Sequence, residues 1–245
     1  MGELIAVLSG KGGTGKTAVC AGLSTALAAS GESVLCIDCD IGLRNLDISL
    51  GMTDSGSLSF LDVCGGAYTL SQASRHPVFE KLRFLTAPLR CRAEDVPGPA
   101  FSEMLRSARA QFDYVFLDAP AGVDAGFRLC AQYADRVILV TGPDPAAIRD
   151  AQRAGELLEL MGKQNVRLIV NRVNPKLFDS MGITVDDVMD QAGLPLLGIV
   201  PDDPHVTLAA AFGKPLLVYS RKGAASACRR IAKRIQGLPV PVSIR

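Results

Sequence analysis

Tryptophan is absent from this chain of 245 residues, and aromatic residues make up only 5% of it. A hydrophobic core must therefore be built mainly from Leu, Val, Ile and Ala. Hydrophobic residues nevertheless account for 48% of the sequence, which is enough for a sizeable core without disulfides or metal ions. The length suits one large α/β domain and is short for two.

An excess of charge of either sign is also missing, because 26 Lys and Arg residues face 25 Asp and Glu residues for a net charge of +1. No global field therefore draws the chain to nucleic acid, and only a local patch could do so. No apolar run approaches the roughly 18 residues that span a membrane. The start at Met1–Ile5 enters an apolar segment directly, with no room for a signal peptide. These absences favour a cytoplasmic protein.

The chain has seven cysteines, an odd number scattered through apolar segments. This pattern fits reduced, buried thiols in a cytoplasm better than a disulfide framework. Cys36 and Cys39 have C-x-x-C spacing, but odd spacing at the end of a strand places two side chains on opposite faces. We therefore expect both residues to serve packing rather than metal or redox chemistry.

The most informative segment is Gly10–Thr17, which matches the phosphate-binding pattern G-x-x-x-x-G-K-[ST]. It follows the apolar run Leu4–Leu8 and precedes an alanine-rich helical stretch, so it forms the turn between a buried strand and a helix. Glycines let backbone N–H groups surround a triphosphate, and the helix adds the positive end of its dipole. Lys16 is expected to reach the β- and γ-phosphates and Thr17 to bind Mg²⁺. The predicted nucleotide-binding residues of this loop are Gly10, Lys11, Gly12, Gly13, Thr14, Gly15, Lys16, Thr17 and Ala18.

Lys11 is an additional lysine that an ordinary phosphate-binding loop does not need, because Lys16 already serves the phosphates. A lysine on the opposite rim of the loop cannot easily turn back onto its own nucleotide. It could instead reach the nucleotide of a second subunit, much as an arginine finger does. The loop therefore predicts a nucleotide-dependent homodimer, with a solvated lysine as the alternative.

Strand-like apolar runs alternate with helical patterns along the whole chain, which predicts an α/β fold of the single-domain P-loop NTPase type. Its sheet is expected to be mostly parallel and twisted, with helices on both faces. The predicted strands are 4–8, 33–37, 82–85, 114–117, 136–140, 166–170 and 196–200. The predicted helices are 16–30, 99–110, 144–161, 184–191, 205–212 and 220–236. The domain is expected to cover 1–237 and to be followed by an extended tail, 238–245, where prolines prevent a helix.

Ligands of an open parallel sheet collect at the carboxyl ends of its strands, and three carboxylates follow predicted strands there. Asp40 is expected to orient the attacking water, whereas Asp38 serves either the outer shell of a metal or the hydrogen bonds of its loop. A loop-capping role is the alternative for both. Asp118 ends the apolar run 114–117, as in a Walker B strand, and is predicted to hold Mg²⁺ through a water, together with Thr17.

Two later strand ends are candidates for binding the base. Asn171 offers an amide that can pair with adenine, and Arg172 a guanidinium that can stack on it. Pro201 and Asp202 offer backbone groups and a carboxylate near the same edge. No Asn-Lys-x-Asp guanine signature occurs, so adenine, and hence ATP, is the expected ligand. Solvated loops are the alternative at both places.

With these residues in view, the chain resembles the MinD/ParA family of ATPases. The stretch 11–17 is similar to the deviant Walker A loop of that family. The stretches 38–47 and 118–122 are similar to those typical of its MinD branch. Further likeness is found at 134–136, 148–150, 171–175 and 200–203, so the match runs from residue 1 to about 235.

The resemblance implies a cytoplasmic ATPase that dimerises with ATP sandwiched between subunits and regulates septum site selection in cell division. It also implies binding of the dimer to the anionic inner face of the cell membrane, recruitment of a MinC-like inhibitor, and release when a MinE-like partner stimulates slow hydrolysis. The catalytic roles that carry over belong to Lys11 (in trans), Lys16, Asp40 and Asp118. Asn171, Arg172, Pro201 and Asp202 would surround the adenine.

One segment departs from the family. MinD proteins usually end in an amphipathic helix that inserts into the membrane, whereas 238–245 contains two prolines and shows no such helix. The nearest candidate is 228–236, where Ile231 and Ile235 share a face and four basic residues occupy the rest. We expect this segment to be the last helix of the fold, packed on the sheet.

Two other classes of protein stay open. A ParA-like or flagellar-number-regulator-like switch would act on DNA or on a protein partner, and the basic cluster 229–234 is the feature that favours DNA. Such a cluster usually marks a solvated face, so DNA is the weaker expectation. A nucleotide-driven electron donor would need an iron–sulfur cluster at the dimer axis, with Cys91 and Cys130 as its ligands.

Overall fold

The computed structural model describes residues 1–53 and 56–243, so the last two residues of the predicted tail lie outside it. The strands of this part are β1 (Glu3–Leu8), β2 (Val34–Asp38), β3 (Ser74–Arg75), β4 (Leu82–Leu85), β5 (Tyr114–Asp118), β6 (Arg136–Thr141), β7 (Val166–Val173) and β8 (Leu196–Pro201). They form one sheet in the order β3-β4-β2-β5-β1-β6-β7-β8, and every pair is parallel except β3 with β4. The predicted mostly parallel sheet is confirmed.

Helices cover both faces of this sheet. They are α1 (Lys16–Ala29), α2 (Leu46–Leu50), α3 (Phe60–Cys64), α4 (Gly98–Gln111), α5 (Ala125–Tyr133), α6 (Pro145–Leu160), α7 (Pro175–Met181), α8 (Val185–Ala192), α9 (Pro204–Ala211), α10 (Leu216–Tyr219) and α11 (Ala224–Ile235). Within the described residues, no helix combines the length and the apolar character needed to cross a bilayer.

Alternate residues of each inner strand contact opposite layers of helices. On β2, Cys36 packs in the layer of α1 and α11, whereas Ile37 packs in the layer of α4, α5 and α6. Cys39 belongs to the second layer, so Cys36 and Cys39 lie on opposite sides, as their spacing predicts. Both are buried and free, which agrees with a role in packing.

The predicted helix 220–236 is shorter than expected and begins at Ala224. Gly223 has a φ of +56°, and a Cβ atom there would lie 2.2 Å from Oδ2 of Asp203. The same oxygen accepts the backbone N–H of Ala224 at 2.9 Å. The close approach of this carboxylate fixes the start of α11. Residues 220–223, which were predicted to be helical, instead connect α11 to the separate helix α10.

The other difference that matters for function is at β7, which continues to Val173 instead of ending at residue 170. The pairing with β8 shifts between Val170 and Val173, and Arg172 has a left-handed φ of +58°. Asn171 and Arg172 therefore lie in an irregular extension of the strand rather than in a following loop. Five short helices, α2, α3, α5, α7 and α10, were not predicted, because 4 to 9 residues show little helical periodicity.

Helix α11 packs on α1 and on β8, which confirms that it is part of the fold. Ile231 and Ile235 are 1% and 3% exposed. A Cβ atom on Gly22 of α1 would lie 2.6 Å from Sγ of Cys228, so the two helices approach closely at that point. The apolar stripe of α11 is therefore unavailable for insertion into a membrane.

Truncating this stripe should destabilise the domain. We expect Ile231→Ala to lower the free energy of unfolding by about 2–4 kcal/mol, because it removes a buried side chain and leaves a cavity. Leu160→Ala is the control, since Leu160 is 86% exposed, and it should change stability by less than about 0.5 kcal/mol. Urea denaturation checks both values, and equal effects of the two substitutions would contradict the packing.

Candidate functional site

The strands β1, β2, β5, β7 and β8 end at one edge of the sheet, and the loop 10–15 lies there between β1 and α1. Gly13 and Gly15 have φ values of +82° and +84°, in the left-handed region that favours glycine. A Cβ atom on Gly15 would lie 2.3 Å from Nδ2 of Asn171, and one on Gly10 would lie 2.2 Å from the backbone oxygen of Asp150. The path of the loop therefore requires glycine at both positions.

Lys16, the first residue of α1, forms a buried ion pair with Asp118 at the end of β5. The distance from Nζ to Oδ1 is 3.0 Å, and the two side chains are only 6% and 1% exposed. Burial raises the pKa of Asp118, although Lys16 opposes this effect. Burial alone would lower the pKa of Lys16, but the Asp118 carboxylate outweighs it and the pKa is raised. Lys16 also donates to Oγ1 of Thr17 at 3.3 Å.

Asp38 is completely buried and holds the loop that follows β2. Its Oδ1 accepts the backbone N–H of Asp40 at 2.9 Å, and its Oδ2 accepts that of Leu46 at 3.2 Å. Of the two roles expected for this residue, the structure contains the hydrogen bonds of the loop. Burial, followed by the charge of Asp118, raises the pKa of Asp38 to about 7.

Asp40 lines a cavity of about 470 Å³ together with the phosphate-binding loop. Burial raises the pKa of this carboxyl, and Lys16 opposes that effect. Lys11 lies at the rim of the same cavity with its side chain 42% exposed, and its Nζ donates to Oδ1 of Asp144 at 3.1 Å. The same oxygen of Asp144 accepts the backbone N–H of Ala147 and so caps the start of α6. Lys11 is therefore held away from Lys16, on the open side of the loop.

A second cavity, of about 410 Å³, adjoins the first at Gly15, Ala18 and Arg172. All four residues predicted to surround a base line it: Asn171, Arg172, Pro201 and Asp202. Nδ2 of the buried Asn171 donates to the backbone oxygen of Thr14 at 2.7 Å. One N–H of this amide is thus engaged by the loop, and Oδ1 is free to accept a hydrogen bond from a ligand.

Three buried polar atoms around the loop have no hydrogen-bond partner within the described part of the chain. They are Oγ of Ser9, Oγ1 of Thr14 and Oδ2 of Asp118. Buried polar atoms are nearly always paired, so these three indicate a polar ligand. Hydroxyl and carboxylate oxygens beside Lys16 and Thr17 are the donor set that suits a phosphate group with a hard divalent cation. The residues present therefore fit a nucleotide with Mg²⁺.

The sequence pattern missed several residues of the site. Leu43, Asn45 and Ile48 line the cavity at the loop, and Thr207 and Cys228 line the adjoining cavity. Asp144 could be recognised as a helix cap, because an acidic residue followed by proline often begins a helix. Nothing in the spacing shows that Lys11, which is 133 residues earlier, lies beside it.

These features define the class of the protein. A glycine-rich loop joins β1 to α1, and Lys16 and Asp118 form a buried ion pair next to it. A cavity of about 410 Å³ adjoins the loop at the carboxyl ends of the parallel strands. This is a P-loop nucleotide-binding protein.

Comparisons with known proteins agree with this class. Residues 5–216 match the CobQ/CobB/MinD/ParA nucleotide binding domain family. The septum site-determining protein MinD of Bacillus subtilis is 38% identical over 252 residues, which cover 100% of this chain and 92% of the relative. The MinC:MinD cell division protein complex of Aquifex aeolicus has a chain with a TM-score of 0.88 and 33% identity, covering 98% of both chains. MinD of Pyrococcus horikoshii, solved with Mg-ADP, has a TM-score of 0.84 and 29% identity, covering 96% of both chains.

The chain belongs to the MinD/ParA family of nucleotide-binding ATPases, and within it to the septum site-determining MinD proteins. The predicted family, fold and cell-division ATPase function are confirmed. The electron-donor alternative depended on Cys91 and Cys130, of which the second is completely buried. In the described residues, no His, Cys, Asp and Glu side chains cluster in a way that could hold a metal ion by themselves.

The raised pKa of Asp38 predicts a dependence of stability on pH in the ligand-free protein. Since the folded chain binds this proton more tightly than the unfolded chain, the contribution is fully present below the ordinary pKa of 3.8 and is lost as the pH rises through about 7. Asp38→Asn should flatten the fall in unfolding free energy between about pH 4 and 7. Urea denaturation across this range measures the slope, and an unchanged slope in the variant would contradict the assignment.

Proposed function

We propose that this protein is an ATP-dependent switch for septum placement, which binds ATP with Mg²⁺, dimerises around it and leaves the dimer state on hydrolysis. The observation that carries the proposal is that one loop contains two lysines in different surroundings. Lys16 is buried against Asp118, whereas Lys11 is half exposed on the outer rim. One lysine therefore serves the nucleotide of its own subunit, and the other is available to a second subunit.

The residues that would hold the phosphates and the cation surround the buried ion pair. Lys16 exchanges its contact with Asp118 for the β- and γ-phosphates, since a single ammonium cannot neutralise both at once. Asp118 and Thr17 would then supply oxygen ligands to Mg²⁺, directly or through water. When bound, this cation neutralises charge on the phosphate oxygens.

Asp40 is the residue that we assign to the attacking water. It lies on the cavity beside the loop, keeps its carboxylate partly exposed, and has its backbone N–H fixed by Asp38. Burial raises its pKa, so the carboxylate is a stronger proton acceptor than an exposed aspartate. Asp38 acts through this loop as a positioning residue.

Base selection is assigned to the cavity beside Gly15. Because Nδ2 of Asn171 is held by Thr14, Oδ1 is the free acceptor, and it favours the exocyclic amine of adenine over the oxygen of guanine. Arg172 lines both cavities and is placed to cover the base, while Pro201 and Asp202 form the facing edge. This arrangement supports ATP rather than GTP.

The partners of the switch are inferred from its relatives. The relative from Aquifex aeolicus forms a complex with MinC, and we propose a MinC-like inhibitor as a partner of this chain. A MinE-like activator of hydrolysis and reversible attachment to the inner face of the cell membrane complete the proposed cycle. A DNA target is less suitable, because the arginines of α11 donate hydrogen bonds to other groups of the chain.

The two lysines should separate nucleotide binding from dimerisation. Lys16→Ala should neither bind nucleotide nor dimerise. Lys11→Ala should still bind a fluorescent ATP analogue but should remain monomeric. Analytical ultracentrifugation with a non-hydrolysable ATP analogue measures the second effect, with Lys176→Ala, an exposed lysine of α7, as the control. Normal dimerisation of Lys11→Ala would show that this lysine does not act in trans.

Asp40→Ala should bind ATP and dimerise, yet turn over at least about a hundredfold more slowly, because the group that orients the water is removed. The dimer should therefore persist after ATP is added. Phosphate release and the lifetime of the dimer are the measurements, and Asp186→Ala, an exposed carboxylate of α8, is the control. A normal rate in Asp40→Ala would remove this residue from the mechanism.

A further inference from the structure

Two of the three unpaired buried oxygens at the phosphate-binding loop are hydroxyl oxygens that the loop pattern does not require. Ser9 precedes the pattern, and Thr14 occupies one of its variable positions. They are 1% and 5% exposed, and neither hydroxyl has a hydrogen-bond partner in residues 1–53 and 56–243. The third oxygen belongs to Asp118, whose carboxylate has the ion pair with Lys16. Neither the pattern nor the packing of the fold accounts for the two hydroxyls.

Both hydroxyls border the space where a phosphate group would lie. Ser9 and Thr14 line the cavity of about 470 Å³ that also contains Lys16 and Thr17. A buried hydroxyl without a partner is unfavourable, because it has given up its hydrogen bonds to water and gained none in return. Phosphate oxygens are strong acceptors, and a hydroxyl can turn its O–H to donate to them. A phosphate in this cavity would therefore satisfy both groups.

Thr14 lies at the end of the loop that faces the cavity assigned to the base. Its backbone oxygen accepts Nδ2 of Asn171 at 2.7 Å, and Asn171 lines that cavity. Gly15, the next residue of the loop, lines both cavities. A phosphate beside Thr14 would therefore lie close to the nucleoside, and ADP and ATP both have such a phosphate.

Ser9 lies at the opposite end of the loop, where β1 ends beside β5. Val7 of β1 is paired in register with Asp118, and the backbone oxygen of Ser9 accepts the N–H of Gly122 at 3.1 Å. Neither Ser9 nor the segment 119–122 lines the cavity assigned to the base. Because the phosphate chain extends away from the base, its terminal phosphate would lie at this end.

We propose that Ser9 is a specificity-determining residue for the terminal phosphate, and that its hydroxyl donates to an oxygen of the γ-phosphate of ATP. ADP has no such phosphate, so it leaves this hydroxyl unpaired and is bound less tightly. The hydroxyl of Thr14 donates to a phosphate that both nucleotides contain, so it strengthens binding without discriminating between them. This inference rests on the proposed binding of ATP with Mg²⁺, and it assigns to Ser9 the distinction between the substrate and the product of hydrolysis.

Titrations with ADP and with a non-hydrolysable ATP analogue, each with Mg²⁺ and a fluorescent label, test the proposal. Ser9→Ala should weaken binding of the ATP analogue at least about tenfold, because a hydrogen bond to a charged group is lost, and should change ADP binding less than about twofold. Thr14→Val, which removes a hydroxyl with little change of shape, should weaken binding of both nucleotides by the same factor.

Two controls keep the measurement specific to the hydroxyl of Ser9. Thr25→Val removes the hydroxyl of a buried residue of α1 that donates to the backbone oxygen of Ala21 at 2.7 Å, and it should bind both nucleotides like the natural chain. The same titrations of Ser9→Ala in the Lys11→Ala background exclude a contribution from dimerisation, since Lys11 is assigned to the second subunit. The loss of affinity for the ATP analogue should be the same in that background.

The stability of the ligand-free protein provides a second measurement. Ser9→Ala and Thr14→Val each remove a buried polar group that has no partner, so neither should lower the midpoint of urea denaturation. Thr25→Val removes a buried hydroxyl that is hydrogen-bonded, so it should lower the midpoint. At one concentration of the ATP analogue, the midpoint of the natural chain should rise more than that of Ser9→Ala.

The assignment of Ser9 is overturned if Ser9→Ala leaves the affinity for the ATP analogue unchanged or weakens ADP binding equally. It is also overturned if ligand-free Ser9→Ala is destabilised as much as Thr25→Val, because the hydroxyl would then have a partner within the chain. In these cases the natural chain would still bind nucleotide, so the proposed function would stand. If the natural chain binds neither nucleotide, the proposed function fails and this inference fails with it.

Discussion

The ion pair between Lys16 and Asp118 is the interaction on which the rest of the site depends. Two opposite charges buried this deeply stay ionised only because each has the other as a partner. Burial is the main reason that the pKa values of Asp38 and Asp40 are raised; the charge of Asp118 adds to both shifts, and Lys16 opposes the rise at Asp40. In the proposed function, a phosphate that takes Lys16 leaves the buried Asp118 carboxylate without its partner, and a divalent cation would restore the balance of charge.

The loop above this pair is shaped by distant parts of the chain as much as by its own glycines. Asn171 from β7 holds the backbone oxygen of Thr14, and it approaches so closely that Gly15 has no room for a side chain. Asp150 from α6 excludes a side chain at Gly10 in the same way. The proposed sites for the phosphates and the base therefore share one framework, because Asn171 lines the cavity beside Gly15 and also holds the loop at Thr14.

Much of the fold could be predicted because long buried strands and α1, α4 and α6 have strong periodic patterns. The phosphate-binding loop and Asp118 could be predicted because their chemistry requires fixed residue types at fixed local spacing. The pairing of Lys11 with Asp144 could not, since it joins residues that only the crossover of the sheet brings together. The irregular end of β7 was also missed, because Arg172 has a left-handed backbone that an arginine in a strand-like run does not signal.

Asp203 joins two helices that are distant in sequence. Its Oδ1 accepts the backbone N–H of His205, and its Oδ2 accepts that of Ala224, both at 2.9 Å. A single carboxylate in the wall of the cavity beside Gly15 thus holds the first turns of α9 and α11, while Arg229 ties α10 to α11. A shift of this carboxylate would therefore pull on both helices at once, so a change in the cavity wall would be transmitted to the outer surface formed by α9, α10 and α11.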